Sequence, residues 1–254
     1  MGEIIAFANQ KGGVGKTTTC VNMAAYLAKF GKSVLLVDID PQGNATSGFG
    51  LKKSRDIKST YNVIVGDVEP KDAIVHTDLD NLDVIPTNID LAGVEVEMVY
   101  MQNRESILKN ALKKVKDKYD FVVIDCPPSL GLLTINAFVG ADSVLVPIQC
   151  EFFALEGLSQ LMNTIRLVKK KLNPELEIDG VVLTMRDTRS NLGRLVGEEI
   201  QKYFGDKVYK STIPKNVKLA EAPSYGQPIC VYDKNCAGAK AYFALTEEFL
   251  KRRK

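Results

Sequence analysis

Two lysines and two threonines set among glycines could hold a chain of phosphates and a divalent cation. They lie in Asn9-Gln10-Lys11-Gly12-Gly13-Val14-Gly15-Lys16-Thr17-Thr18, between an apolar run, Ile4–Ala8, and an amphipathic stretch. Each residue type has its chemistry. Glycines let backbone N–H groups curl around phosphate oxygens, and the N-terminus of a following helix adds partial positive charge. Lys16 reaches the β- and γ-phosphates, and the Thr17 hydroxyl ligates Mg²⁺. Gly12, Gly13, Val14, Gly15 and Thr18 complete the ATP cradle. One position departs from the G-x-x-x-x-G-K-[ST] pattern: Gln10 stands where the first glycine is usual, and Lys11 adds a second lysine before the double glycine.

Two carboxylates end further apolar runs, Val34–Asp38-Ile39-Asp40 and Phe121–Asp125. In a parallel sheet the C-terminal strand ends share one edge, where ligands bind. Asp125 reads as a carboxylate that holds Mg²⁺ directly, through water or through Thr17. Asp40 reads as the residue that orients the attacking water. Asp38 either helps hold Mg²⁺ or braces the loop. A lone aspartate after a strand is more often a cap or turn residue; the spacing to the phosphate loop is what favours chemistry here.

The elements that must position these residues are legible from pattern. Strands are expected at Ile4–Ala8, Ser33–Asp38, Leu82–Ile85, Phe121–Asp125, Ser143–Ile148, Gly180–Thr184 and Val208–Ile213. Several are unbroken apolar runs, as in strands buried on both faces. Helical periods fill the intervals at Thr17–Phe30, Arg104–Lys116, Leu130–Phe138, Leu155–Leu172, Gly193–Phe204 and Ala237–Leu250. This alternation predicts an α/β three-layer P-loop NTPase fold, a mostly parallel sheet with helices on both faces. Residues 1–254 read as one domain, with Gly48–Asp80 the least regular part, a candidate mobile insertion.

Composition narrows the remaining possibilities. No run of about 18 apolar residues is present, and the N-terminus fits neither a signal peptide nor a myristoylation pattern, so a cytoplasmic protein is expected. The five cysteines, Cys20, Cys126, Cys150, Cys230 and Cys236, form no CxxC pair, which argues against a zinc site or a disulfide framework. The net charge of +2 leaves nucleic-acid binding to local patches. His76, the only histidine, lacks a ligand-spaced partner in the sequence and reads as a surface residue.

Taken with CEFFALEGLSQL and Met185–Gly193, the segments NQKGGVGKTTT, LLVDIDPQGNATSG, VIDCPPSLGLLTINA and IPKNVKLAEAPSYGQPI resemble ParA/Soj chromosome-partitioning ATPases over nearly the whole chain. The double-lysine loop is similar to the deviant Walker A loop of the ParA/MinD family. The resemblance implies an ATP-bound homodimer in which Lys11 reaches the partner's phosphates, making Lys11, Lys16 and Asp40 the catalytic set. It implies a slow ATPase, stimulated by a ParB/Spo0J-type partner, that binds double-stranded DNA without sequence preference on the nucleoid. Pro214 and Asn216 match an adenine-recognising position; from the residues alone they read as a turn. Arg189 and Lys218 match DNA-contacting positions, with Lys215 a weaker candidate beside Arg186 and Arg194. The basic runs at Arg166–Lys171 and Lys251–Lys254 are more simply solvated faces.

Rival readings differ in testable ways. A MinD-type membrane regulator needs an amphipathic tail after the last helix, and no apolar face follows Leu250, so stable membrane association is not expected. A biotin- or cobyrinate-pathway ligase needs a further substrate constellation. A scaffold whose assembly is controlled by ATP would make Asp40 dispensable. Nitrogenase-iron-protein relatives bridge a cluster from paired cysteines, whereas the sequence around Cys126 matches the partitioning branch. With Ile4 already in the first strand, an added operator-binding domain is not expected.

Overall fold

The computed structural model describes residues 2–151, 154–186 and 191–253. Seven strands form one sheet: β1 (Glu3–Phe7), β2 (Val34–Asp38), β3 (Val75–His76), β4 (Leu82–Ile85), β5 (Phe121–Asp125), β6 (Ser143–Gln149) and β7 (Glu177–Thr184). Their order is β3-β4-β2-β5-β1-β6-β7, and every pairing is parallel except that of β3 with β4. Helices in chain order are α1 (Lys16–Lys29), α2 (Asn44–Gly48), α3 (Thr60–Val65), α4 (Val94–Met98), α5 (Ile107–Leu112) and α6 (Leu132–Gly140), followed by α7 (Ala154–Lys171), α8 (Asn191–Phe204), α9 (Val217–Glu221), α10 (Ile229–Tyr232) and α11 (Ala237–Lys251).

Period-two alternation of side chains divides the core between the two faces. Ile4, Ala6, Leu35, Val37, Val122 and Ile124 pack against α3 to α8, with Phe138, Leu161 and Ile165 at the centre. Ile5, Phe7, Val34, Leu36 and Val123 pack against α1 and α11, where Met23, Leu27, Leu245 and Phe249 are fully covered. This is the expected three-layer α/β fold. No helix among the described residues is long and apolar enough to cross a membrane.

Three expected elements differ. Val208–Ile213 is not a strand. It runs beside β7 through the bonds Tyr209 N–H to the Val181 carbonyl and Ile213 N–H to the Leu183 carbonyl, both 2.9 Å. Between them, the Lys210 and Ser211 N–H groups turn away and donate to the Glu248 carboxylate at 2.9 and 2.8 Å. The expected helix Arg104–Lys116 is broken: a tight turn, Arg104–Ser106, precedes α5, and another, Lys116–Lys118, follows it. Asn136 of α6 causes the first break by donating to the Arg104 carbonyl and accepting from the Leu108 N–H. The Gly48–Asp80 stretch is built into the fold. Its helix α3 buries Val63 and Ile64, Thr60 donates to the Asp38 carbonyl at 2.8 Å, and β3 extends the sheet.

Candidate functional site

The β1 strand delivers the glycine loop to the C-terminal edge of the sheet, and α1 carries it away. Gly13 and Gly15 have φ of +75° and +82°, a conformation costly for residues with a Cβ. A Cβ at Gly12 or Gly13 would meet nothing within 4 Å, so this stretch of backbone faces open space. The loop is tied down on three sides. The Asn9 amide donates to the Pro147 carbonyl at 2.7 Å and accepts from the Lys11 N–H. The Thr184 hydroxyl donates to the Val14 carbonyl at 2.7 Å, and Thr19 donates to that of Gly15. Lys16 is 7% exposed, lines the cleft, and its charge acts on Asp125.

Asp38 and Asp125 stand opposite each other in the β2–β5 register. Both are fully buried, yet their surroundings differ. Asp38 accepts from the Thr46 N–H at 2.8 Å, the Thr46 hydroxyl at 2.7 Å and the Asp40 N–H at 3.1 Å. It therefore braces the loop that follows β2. Burial still lifts its pKa to about 6, against those hydrogen bonds. Neither Asp125 oxygen has a partner of full hydrogen-bond geometry among the described residues, although the Thr17 hydroxyl lies near enough to favour the charged form. Burial raises its pKa to about 7, opposed first by the Lys16 charge. A buried carboxylate with both oxygens unsatisfied is costly, and a divalent cation with its water would satisfy it. The donor set of Asp125 oxygens beside the Thr17 hydroxyl therefore fits Mg²⁺ chemistry. Asp40 is 4% exposed; it accepts from the Gln42 N–H at 2.9 Å and lines the cleft above the loop.

That cleft has a volume of about 600 Å³ and is walled by Gly12, Gly13 and Gly15 to Thr18 on one side and by Gln42, Asn44, Ser47, Pro128 and residues of the 219–228 segment on others. Beside it, a cavity of about 290 Å³ joins Gly15 and Thr18 to Pro214, Lys215 and Asn216. Residues read from the sequence as a turn, or as an adenine position by resemblance, thus stand next to the phosphate loop. Asn216 also caps α9, its side chain accepting from the Lys218 N–H at 2.9 Å. Met185 lines both spaces with φ of +48°, an uncommon backbone for a side chain of that size.

Lys11 reaches neither space: its ammonium pairs with Glu151 at 2.5 Å, and Gln149 donates to the other Glu151 oxygen. Lys218 is exposed and paired with Glu221, and Lys215 is exposed. Arg189 lies outside the described residues. Two expectations about individual residues need correction. His76 is exposed as expected but does have an acidic partner, Asp83, at 2.6 Å; antiparallel pairing of β3 with β4, which no local pattern signals, brings them together. In the C-terminal basic run, Arg253 is not a solvated residue: it bridges Glu3 and Asp179, whose side chain is mostly covered. Thr184, Asn9 and Glu151 were not foreseen, since their roles come from tertiary approach and not from motif.

A family profile described as an AAA domain matches residues 2–178. The sporulation initiation inhibitor protein Soj of Bacillus subtilis is 60% identical over 248 residues, 98% of each chain. The chain belongs to the ParA/Soj family. ParA of Caulobacter vibrioides is another such relative, 50% identical over 98% of this chain and 94% of its own. Among solved structures, a Mycobacterium smegmatis protein described as cobyrinic acid a,c-diamide synthase, with bound ATP analogue and magnesium, superposes on this ParA/Soj chain with a TM-score of 0.89. It is 38% identical and is covered to 96%, against all of this chain. MinD of Pyrococcus horikoshii with Mg-ADP gives a TM-score of 0.83 at 28% identity, covering 100% of this chain and 98% of its own.

Proposed function

We propose that this chain is an ATP-dependent switch for DNA partitioning: Mg-ATP closes two copies into a dimer that holds DNA without sequence preference, and hydrolysis releases it. The observation that carries the reading is Asp125, buried and without a full hydrogen bond among the described residues, acting on Lys16, which lines the open cleft of the glycine loop. Residues 12–18 cradle the phosphates with backbone N–H groups and Lys16; Thr17 and Asp125 hold Mg²⁺, with Asp38 bracing the loop beside them. When bound, Mg²⁺ neutralises charge on the β- and γ-phosphates. Asp40, at the cleft wall, accepts a hydrogen bond from the water that attacks the γ-phosphate and orients it. Pro214 and Asn216 close on the base. Lys11 leaves Glu151 for the phosphates of the second copy. With no arginine among the described residues that line the cleft, turnover in the single chain is slow, and a ParB-type partner is expected to raise it.

The relatives named as chromosome-partitioning proteins, at 50% identity, support this reading over the ligase chemistry for which the 38% identical neighbour is named. An amide-forming enzyme that draws ammonia from glutamine uses a cysteine nucleophile, and among the described residues the cleft lining contains neither cysteine nor histidine. DNA contact is assigned to Arg189 and Lys218, with Lys215 secondary. The test is co-sedimentation with duplex DNA of arbitrary sequence in Mg-ATP or Mg-ADP, at two salt concentrations. Binding only with ATP, weakened by salt, is expected. Equal binding in both nucleotides, or none, contradicts it.

A further inference from the structure

The five-residue helix α9 presents two surfaces. Leu219 and Ala220 line both nucleotide-side spaces. Lys218 and Glu221 project to solvent on the other side and pair at 2.9 Å. This pair is held in place from a second helix. The Tyr232 hydroxyl of α10 donates to the same Glu221 oxygen at 3.0 Å, the Lys218 ammonium lies 5.6 Å from the Tyr232 ring centre, and Tyr225 stacks on that ring with centroids 5.0 Å apart. An exposed pair contributes little to stability, so folding alone does not account for this arrangement.

Resting on the reading of Lys218 as a phosphate contact, we propose that Glu221 restrains DNA binding by holding Lys218 in an ion pair that a phosphate must displace. A carboxylate and a phosphate oxygen compete for the same three ammonium donors. The Glu221 charge also repels a phosphate approaching Lys218. While the pair persists, Lys218 neutralises a carboxylate and releases no counterion on binding, so the contact is largely lost from the affinity. Tyr232 makes the restraint firmer than a free surface pair by fixing the carboxylate. Because Leu219 and Ala220 stand between and beside the two residues, the restrained lysine lies on the same short helix that walls the nucleotide.

The experiment is a titration of fluorescent duplex DNA with Glu221→Gln, in Mg²⁺ and a non-hydrolysable ATP analogue, across a salt series. Glutamine keeps the acceptor for Tyr232 and removes the charge. The expected result is binding about 3- to 10-fold tighter, with a log–log salt slope steeper by about 0.9, one added phosphate contact. Tyr232→Phe, which frees the carboxylate without removing it, should give a smaller gain in the same direction. In a Lys218→Gln background, Glu221→Gln should give no gain. Unchanged affinity in Glu221→Gln overturns the proposal, as does a full gain without Lys218, which would make Glu221 a simple repulsive charge. Failure of the unmodified protein to bind DNA with the ATP analogue would appear in the control arm. It would overturn the DNA reading itself, and the proposal with it.

Discussion

Replacing Asp125 with asparagine should stabilise the nucleotide-free protein while removing its response to Mg-ATP. Burial holds the Asp125 pKa at about 7, against an ordinary value of 3.8. The folded state therefore binds a proton more tightly than the unfolded chain. The stability from the protonated carboxyl is whole below about pH 4 and is lost as pH rises through about 7. Above pH 7 the buried charge costs up to ~4 kcal/mol, at 1.36 kcal/mol per pKa unit. An asparagine there keeps an unpaired buried amide, which costs ~2 kcal/mol, leaving a net gain of ~2 kcal/mol at pH 8. For a chain of 254 residues, that is a rise in Tm of ~4 °C. The assay is thermal melting in a chelator at pH 8 and at pH 4.5, then with Mg-ATP at about 100 times its Kd. Asp125→Asn should melt higher than the unmodified protein at pH 8, and the gain should shrink towards pH 4.5. Mg-ATP should stabilise the unmodified protein by ~2.7 kcal/mol and the variant far less. A variant that melts no higher at pH 8, or that keeps the full Mg-ATP response, refutes the assignment of Asp125 as a buried, metal-seeking carboxylate.

Three further predictions concern residues around the site. Glu151→Gln frees Lys11 from an exposed pair; the melting temperature should change by less than ~0.5 kcal/mol equivalent, while ATP-dependent dimers should form at lower protein concentration by light scattering. Arg253→Ala should cost ~2–3 kcal/mol in urea unfolding, because it leaves the mostly covered Asp179 carboxylate with the Tyr209 hydroxyl alone and also frees Glu3, and nucleotide affinity should be unchanged. Asp40→Ala should retain ATP in a filter-binding assay and lose hydrolysis by at least ~100-fold, the scale of a positioning and proton-accepting group; unimpaired phosphate release would remove Asp40 from the mechanism.

The legible part of the protein was the part fixed by local chemistry. The glycine loop, the apolar strands ending in Asp38 and Asp125, and most of the helical periods each follow from residue type and short-range order. The sheet edge then brings them together, because parallel strands share a direction. The failures share a cause in tertiary partners. Val208–Ile213 has a strand's composition, but Glu248, almost 40 residues away, takes its N–H groups. The Arg104–Lys116 period is helical, yet one buried asparagine, Asn136, interrupts it. The partners of Lys11, His76 and Arg253 depend on contacts across the fold, and no spacing in the chain announces them. Asp38, read as either a metal residue or a brace, accepts three hydrogen bonds from the loop that follows β2, contacts that no local pattern announces.

If nucleotide identity sets the assembly state, sedimentation velocity reads that state in a single experiment. The protein would be run with Mg²⁺ and a non-hydrolysable ATP analogue, with Mg-ADP, and as Lys11→Ala with the analogue. A species of twice the chain mass with the analogue alone, absent in ADP and absent in Lys11→Ala although that variant still binds the analogue, is the predicted result. A monomer in all three conditions, or a dimer indifferent to nucleotide, would contradict it.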